Sequence, residues 1–284
     1  MKKIYLTLIA ILLSTIAYQA KAQGQVAIAE DLPKNPFDVT KWDTLDSTMI
    51  KVQYQRVVKD PMRKSGERRE KFDLQVGQKV TKYYSHHIDA MDQRFSGLSD
   101  KGLRFIWFDG TSIFSNQPEG KMTVVEREYF STIEESAAYK YEEEIPQMNW
   151  EITSDTLTIL GHNCQKATTT FRGRVWNVWF APELPLPIYP WKFNGLPGAI
   201  LGFDDEEGII SARAIEITQV IEPIKWYKWS YEETTREKIS EYQKRVHNRP
   251  SLILQDGEPT MQVTPDGVMS VANSPIPYQP MELE

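Results

Sequence analysis

The run Asn163–Ala181, "NCQKATTTFRGRVWNVWFA", decides the fold class. Its first half is threonine-rich. Its second half alternates, so that in an extended chain Trp176 and Phe180 fall on one face and Trp179 on the other. Between them Arg172-Gly173 reads as a tight reversal, because glycine takes the positive φ that such turns require. Two β-rich runs joined by two residues predict an antiparallel hairpin.

The same pattern continues in both directions. Upstream, "WEITSDTLTIL" (150–160) ends at a second reversal, Gly161. Downstream, "GAILGF" (198–203) and "IISARAIEITQVI" (209–221) read as strands. Nearer the start, "MIKVQYQRVV" (49–58) alternates, and "FDLQV" and "KVTKYY" flank Gly77-Gln78, a two-residue hairpin turn. Further short runs follow: "LRFIWF", "TSIFSN", "KMTVVEREYF" and "AYKYEEE", with Asp109-Gly110 as the best local hairpin signal. Only two stretches change period. In "HHIDAMDQRFSGL" (86–98), Ile88, Met91, Phe95 and Leu98 fall at helical spacing. In "SYEETTREKISEYQKRVHN" (230–248), Ser230 and Glu233 form a capping box, and Ile239, Tyr242 and Val246 form a narrow apolar stripe. A meander of short strands with two helices predicts a mainly β (α+β) fold built on a curved, largely antiparallel sheet.

The ends read differently. Lys2-Lys3, the apolar "IYLTLIAILLSTIAY" and Ala20-Lys21-Ala22 match the three regions of a secretory signal, so residues 1–22 are expected to be cleaved. Residues 23–48 read as an extended lead-in, 23–247 as one domain, and 248–284 as a proline-rich tail. No later run reaches transmembrane length, and no cysteine follows the cleavage site for a lipid anchor. These features predict a periplasmic or secreted protein. The formal net charge of -6 becomes more negative once Lys2, Lys3 and Lys21 are removed, which argues against nucleic acid as a partner. Cys164 is the single cysteine, so no intramolecular disulfide can form.

Catalytic signatures are sparse. There is no G-x-S-x-G elbow, H-E-x-x-H, P-loop or G-x-G-x-x-G. His86 and His87 are adjacent and point different ways, and the chain offers too few nitrogen and sulfur ligands for structural zinc, so neither metal nor cofactor is predicted. Cys164 with His162 on the same strand face could form a thiolate pair, but the stronger reading is a small buried hydrophobe. The acids Asp204, Asp205, Glu206 and Glu207 could do acid–base work, although four acids at a turn more often form a solvated hairpin tip. The aromatic group Trp176, Phe180, Tyr189, Trp191 and Phe193 is the predicted ligand-binding set, against the alternative that it packs beneath a covering loop.

That loop, "APELPLPIYPWKFNGLPG" (181–198), ends in Gly195-Leu196-Pro197-Gly198. Pro197 presets φ, and Gly198 is expected at the positive-φ position of a type II turn, with Lys192 on the polar side of the loop. The motifs "I-L-G-H-N-C-Q-K-A", "F-R-G-R", "V-W-F-A-P-E-L-P", "P-W-K-F" and "G-L-P-G" between Trp150 and Asp205 make the chain similar to the GLPGLI family of exported Gram-negative proteins. It departs from the family pattern at Ala199, usually leucine, and at Tyr189, where glycine commonly precedes the proline. The resemblance implies an envelope address and no defined reaction. By analogy of architecture the chain also resembles periplasmic lipoprotein carriers, half barrels lined with apolar side chains. The function expected is that of an exported, non-enzymatic protein holding an apolar or peptide-like ligand, or an envelope protein, on its curved sheet. The alternatives are an accessory component of an envelope assembly, and a hydrolase using Cys164 or the 204–207 carboxylates. Oligomeric state is not legible in the sequence.

Overall fold

The structure is a computed structural model that describes residues 37–95, 109–128, 137–249, 261–263, 269–271, 275 and 277–284. The leader predicted over residues 1–22 and "LRFIWF" (103–108) lie outside them. In chain order the elements are β1 (Trp42–Ser47), β2 (Ile50–Lys59), β3 (Glu67–Val76), β4 (Thr81–Ser85), α1 (His86–Phe95), β5 (Ser112–Ser115) and β6 (Lys121–Glu128). Then come β7 (Ala137–Glu144), β8 (Glu151–Ile159), β9 (His162–Phe171), β10 (Arg174–Ala181), β11 (Ala199–Asp205) and β12 (Ile210–Gln219). The last are β13 (Pro223–Tyr227), β14 (Tyr231–Glu233), α2 (Arg236–Asn248), β15 (Met261–Val263) and β16 (Met269–Val271).

Twelve strands form one open sheet in the order β14-β7-β6-β5-β4-β3-β2-β12-β11-β10-β9-β8. Every pairing in it is antiparallel except β14 on β7. The predicted mainly β, antiparallel architecture is therefore the one observed, and the sheet does not close into a barrel. The opening hairpin is there: Arg174 pairs with Phe171 across a turn in which Arg172 and Gly173 both hold positive φ. The two halves of the meander join through β2 and β12, ten-residue strands far apart in sequence.

The sheet rolls. Between β7 and β10 lie eight strand spacings, about 38 Å if the sheet were flat. Yet Arg172, in the turn between β9 and β10, reaches Glu143 on β7 at 2.8 Å. The rolled interior holds one apolar core drawn from almost every strand, with Val52, Tyr54, Phe72, Leu74, Val178 and Phe203 essentially inaccessible. Outside, β1 and β13 pair with each other and cover β4–β6 through a second cluster of Val80, Phe114, Val125 and Ile224.

Several local expectations change. The 23–48 lead-in contains β1, which forms because its partner is β13. The Gly77 turn is two residues longer than expected, since β3 ends at Val76 and β4 begins at Thr81; Asp46 pins it by accepting from the Lys79 and Val80 amides. Asp109-Gly110 makes no positive-φ turn: Asp109 accepts from Thr111 N–H and pairs with Arg56. Ser230 does not cap α2. Residues 231–233 add to β7, and Thr235 is the N-cap, accepting from the Lys238 amide. The predicted stripe on α2 is right, with Ile239 and Val246 buried and Tyr242 packed against the core. On α1, Ile88 is buried, while Leu98 lies outside the described residues.

Candidate functional site

The rolled sheet is shut by the loop 182–198, not by strand pairing. Pro182, Pro185, Pro187 and Pro190 cannot donate to a ladder, so this connection stays irregular and crosses the open side of the roll. Gly198 is the fixed point, for a reason other than the expected one. Its φ is not positive, but a Cβ there would sit 2.2 Å from the Ala181 carbonyl oxygen, so backbone crowding admits only glycine. Gly195, φ +81°, and Trp191, φ 56°, supply the left-handed turns instead. Leu196 is buried, and its carbonyl accepts from the Tyr189 hydroxyl.

Lys192 is not on the polar side of the loop. It is 1% exposed, with its Nζ 2.5 Å from carboxylate oxygens of both Glu143 and Glu282. Arg172 also contacts both acids, and Arg236 on α2 contacts Glu282. The network joins β7, the β9–β10 turn, the loop, α2 and the segment 277–284, which runs across the same opening. Buried charge of this kind is tolerated because each member has an opposite partner.

Behind this closure lies a cavity of about 210 Å³. The inner faces of β2–β6 form its floor, with Phe72, Ile113 and Val124 as apolar lining; Ile239, Val246 and His247 of α2, Trp191 and Pro277–Glu282 enclose it. Polar side chains interrupt this floor, among them Arg56, Arg68, Tyr83 and Glu126. Arg56, on the same parity as Val52, Tyr54 and Val58, is 4% exposed, bonds Glu70 at 2.6 Å and Asp109 at 2.7 Å, and stacks on Phe72. Tyr83 is also 4% exposed, and its hydroxyl has no hydrogen-bond partner among the described residues. Burial, reinforced by the Asp109 and Glu70 carboxylates and opposed by Arg56, raises its pKa well above the ordinary tyrosine range. The hydroxyl therefore stays protonated and can donate. A buried hydroxyl without a partner costs about 1–3 kcal/mol, so it invites an occupant that can accept.

The predicted site residues lie apart from this floor. Trp176, Phe180 and Phe193 belong to the core, with Trp176 packed edge-on against Phe193 and Phe203, so they fill the roll beneath the loop and do not line an open groove. Trp191 alone of the five reaches the cavity, and Tyr189 is half-buried above the core. Cys164 is inaccessible, and burial pushes its thiol up to about 11, which disfavours the thiolate pair. The acidic run divides: Asp205 bonds Arg174 at 2.8 Å and accepts from the Ile210 amide, Asp204 bonds Arg213, and only Glu206 and Glu207 form the solvated tip. His86 Nδ1 is held 2.8 Å from buried Asp73 on the convex side, remote from the cavity lining. The described residues contain no cluster of three or more potential metal ligands, and no helix among them is long and apolar enough to cross a membrane.

No family model matches the chain, and neither does any curated protein. Its fold is similar to that of PNGF-II, solved in P21 and C2 space groups, with a TM-score of 0.50 in both cases. The identities are 12% and 13%, and each match covers 70% of this chain. The chain spans about a third of the PNGF-II chain, 34% and 33% in the two structures. Similarity at this identity concerns the fold alone.

Proposed function

We propose that this protein is an exported binding protein of the bacterial envelope that holds a small ligand inside its rolled sheet. The ligand has an apolar body and one accepting polar group. The observation that carries the reading is the Tyr83 hydroxyl, without a hydrogen-bond partner among the described residues, in the wall of a cavity lined by both apolar and charged side chains. A concave site that combines apolar lining with placed polar groups is the usual make-up of a ligand site. Arg56 lies beside it, its guanidinium held in place and neutralised by Glu70 and Asp109. Export rests on the leader pattern of residues 1–22, and the GLPGLI resemblance on the motifs of 150–205.

Native mass spectrometry of protein purified from its own envelope tests both parts. The mass should correspond to a chain beginning at Gln23, with an additional small molecule released on denaturation. Val124→Phe, which adds volume to the cavity floor, should reduce the bound fraction while leaving the fold intact by circular dichroism. A chain that retains Met1, or one that carries nothing in the wild-type form, would overturn the corresponding half.

The accessory reading retains one specific support. β8 is a free edge of the sheet with Ile152 and Leu157 exposed, and Leu160 beside it. Unpaired strand edges of this kind accept added strands. Two extra residues bulge from β8 between Ile152 and Thr156, however, and interrupt the edge that a partner strand would need.

A further inference from the structure

The segment Pro277–Glu284, "PYQPMELE", crosses the opening of the roll without joining any strand. It is held mainly by charge and backbone contacts. Arg174 donates to the Pro280 carbonyl from both Nε, 3.1 Å, and Nη2, 2.8 Å. The Glu282 carboxylate sits among Lys192 at 2.5 Å, Arg172 at 3.5 Å and Arg236 at 3.6 Å. The Leu283 amide donates to the Arg172 carbonyl at 2.9 Å, and Arg236 donates to the Glu284 carbonyl. Tyr278 packs against His247 of α2 with ring centres 4.8 Å apart and the rings tilted at 50°. Even the turn beneath is shaped for the segment: a Cβ on Gly173 would lie 2.9 Å from Leu283 Cβ.

These contacts read a sequence pattern. There is a shelf for an aromatic ring, a fork for a main-chain carbonyl two residues before an acid, and a three-cation socket for that acid. Removal of the segment would leave a cradle in which the three cations of the Glu282 socket, Arg172, Lys192 and Arg236, have only Glu143 and the exposed Glu237 as acidic partners, while Arg174 keeps Asp205 and Glu207. Met281 is the segment's apolar anchor against the core, and Leu283 remains more than half exposed. With so few apolar contacts the segment is held by largely buried charge, and a peptide that supplies the same carboxylate can replace it without leaving a buried cation unpaired.

We propose that this cradle is a recognition site for an extended acidic peptide of a partner protein, with Pro277–Glu284 as its resident occupant. The partner segment carries an aromatic residue four positions before a glutamate. A tethered occupant competes at an effective concentration on the order of millimolar, so it screens out weak acidic peptides and yields to better ones. The proposal does not depend on a ligand in the cavity behind it.

The test is fluorescence anisotropy with labelled PYQPMELE, titrated with the full chain and with a chain shortened to residue 276. The shortened chain should bind at least about tenfold more tightly than the full chain, and binding should weaken with salt. Replacing the glutamate equivalent to Glu282 in the peptide with glutamine should cost about tenfold, and Arg236→Gln in the protein should do likewise. If the shortened chain is folded and binds nothing, the proposal fails. Should it not fold, a protease site placed at 272–274 in the full chain replaces it. After cutting, the labelled peptide should exchange for the resident one, and failure to exchange would show the segment to be a fixed part of the fold. Peptide binding by protein that mass spectrometry finds empty would separate this proposal from the cavity reading.

Discussion

Gly198 and Gly195 lie three residues apart and need glycine for different reasons. At Gly198 a methyl group would strike the Ala181 carbonyl, whereas at Gly195 it would meet only Trp150 Nε1 at 3.7 Å, and the cost is the left-handed φ. Denaturant unfolding should therefore show Gly198→Ala losing roughly 1–3 kcal/mol or more through overpacking, and Gly195→Ala about 1 kcal/mol through backbone strain. Equal small losses would show that the β10–loop crowding relaxes easily. Lys82 gives a pH-dependent counterpart. It is buried on the convex side, 4.6 Å from the Tyr84 ring centre and 5.0 Å from that of Tyr227, and burial, partly offset by Asp89, lowers its pKa from 10.5 to about 8. The unfolded chain thus binds the proton more tightly, so stability rises with pH between about 8 and 10, by something on the order of 3 kcal/mol for the whole shift. Lys82→Met should remove that rise in unfolding free energy, and an unchanged slope would place the titration elsewhere. Much of the site was legible at this scale. Arg56 and Tyr83 alternate in step with Val52, Tyr54 and Val58, or with Thr81, so an inward charge and an inward hydroxyl could have been read from parity alone. Lys192 could not, because a proline-rich loop has no parity, and its burial depends on Glu143 and Glu282 arriving from distant parts of the chain.

Helix α2 shows how far local signals reach. Ser230 and Glu233 spell a capping box, yet the chain there pairs with β7, and the true cap, Thr235, is followed by Lys238 where a box would place an acid. Thr235→Ala should cost about 1 kcal/mol, as N-cap losses do, while Ser230→Ala should leave stability within roughly 0.5 kcal/mol. Thermal unfolding of the two variants decides between the caps, and the reverse order would restore the longer helix. Long strands such as β2, β9, β10 and β12 carry enough alternation to be read directly. β1, β13 and β14 do not: Trp42–Ser47 alternates weakly, and Tyr231–Glu233 is three residues long, so each is a strand only because a partner edge lies beside it. Tertiary pairing overrides weak propensity at this length.

For the whole molecule, local sequence foretold a curved antiparallel sheet but not how far it rolls. Curvature depends on the β2–β12 pairing, which ties residues 50–59 to 210–219, and on the meeting of Glu143 with Arg172 across the opening. From that roll come the cavity and the cradle at its rim, neither of which has a contiguous sequence signature, whereas the proline-rich loop that shuts the roll does. The aromatic cluster expected to bind ligand instead fills the roll, because a sheet bent this tightly must pack its inner face with large rings before any space is left over. The remaining space lies under α2, on the polar-interrupted floor around Tyr83. Diffraction from crystals of protein purified from its native source is the most direct test of whether that space is a binding site. The account predicts continuous density for an organic molecule in the cavity, with an acceptor atom within about 3 Å of the Tyr83 hydroxyl. A cavity closed by side-chain movement, with Tyr83 bonded to a protein carbonyl, would contradict it.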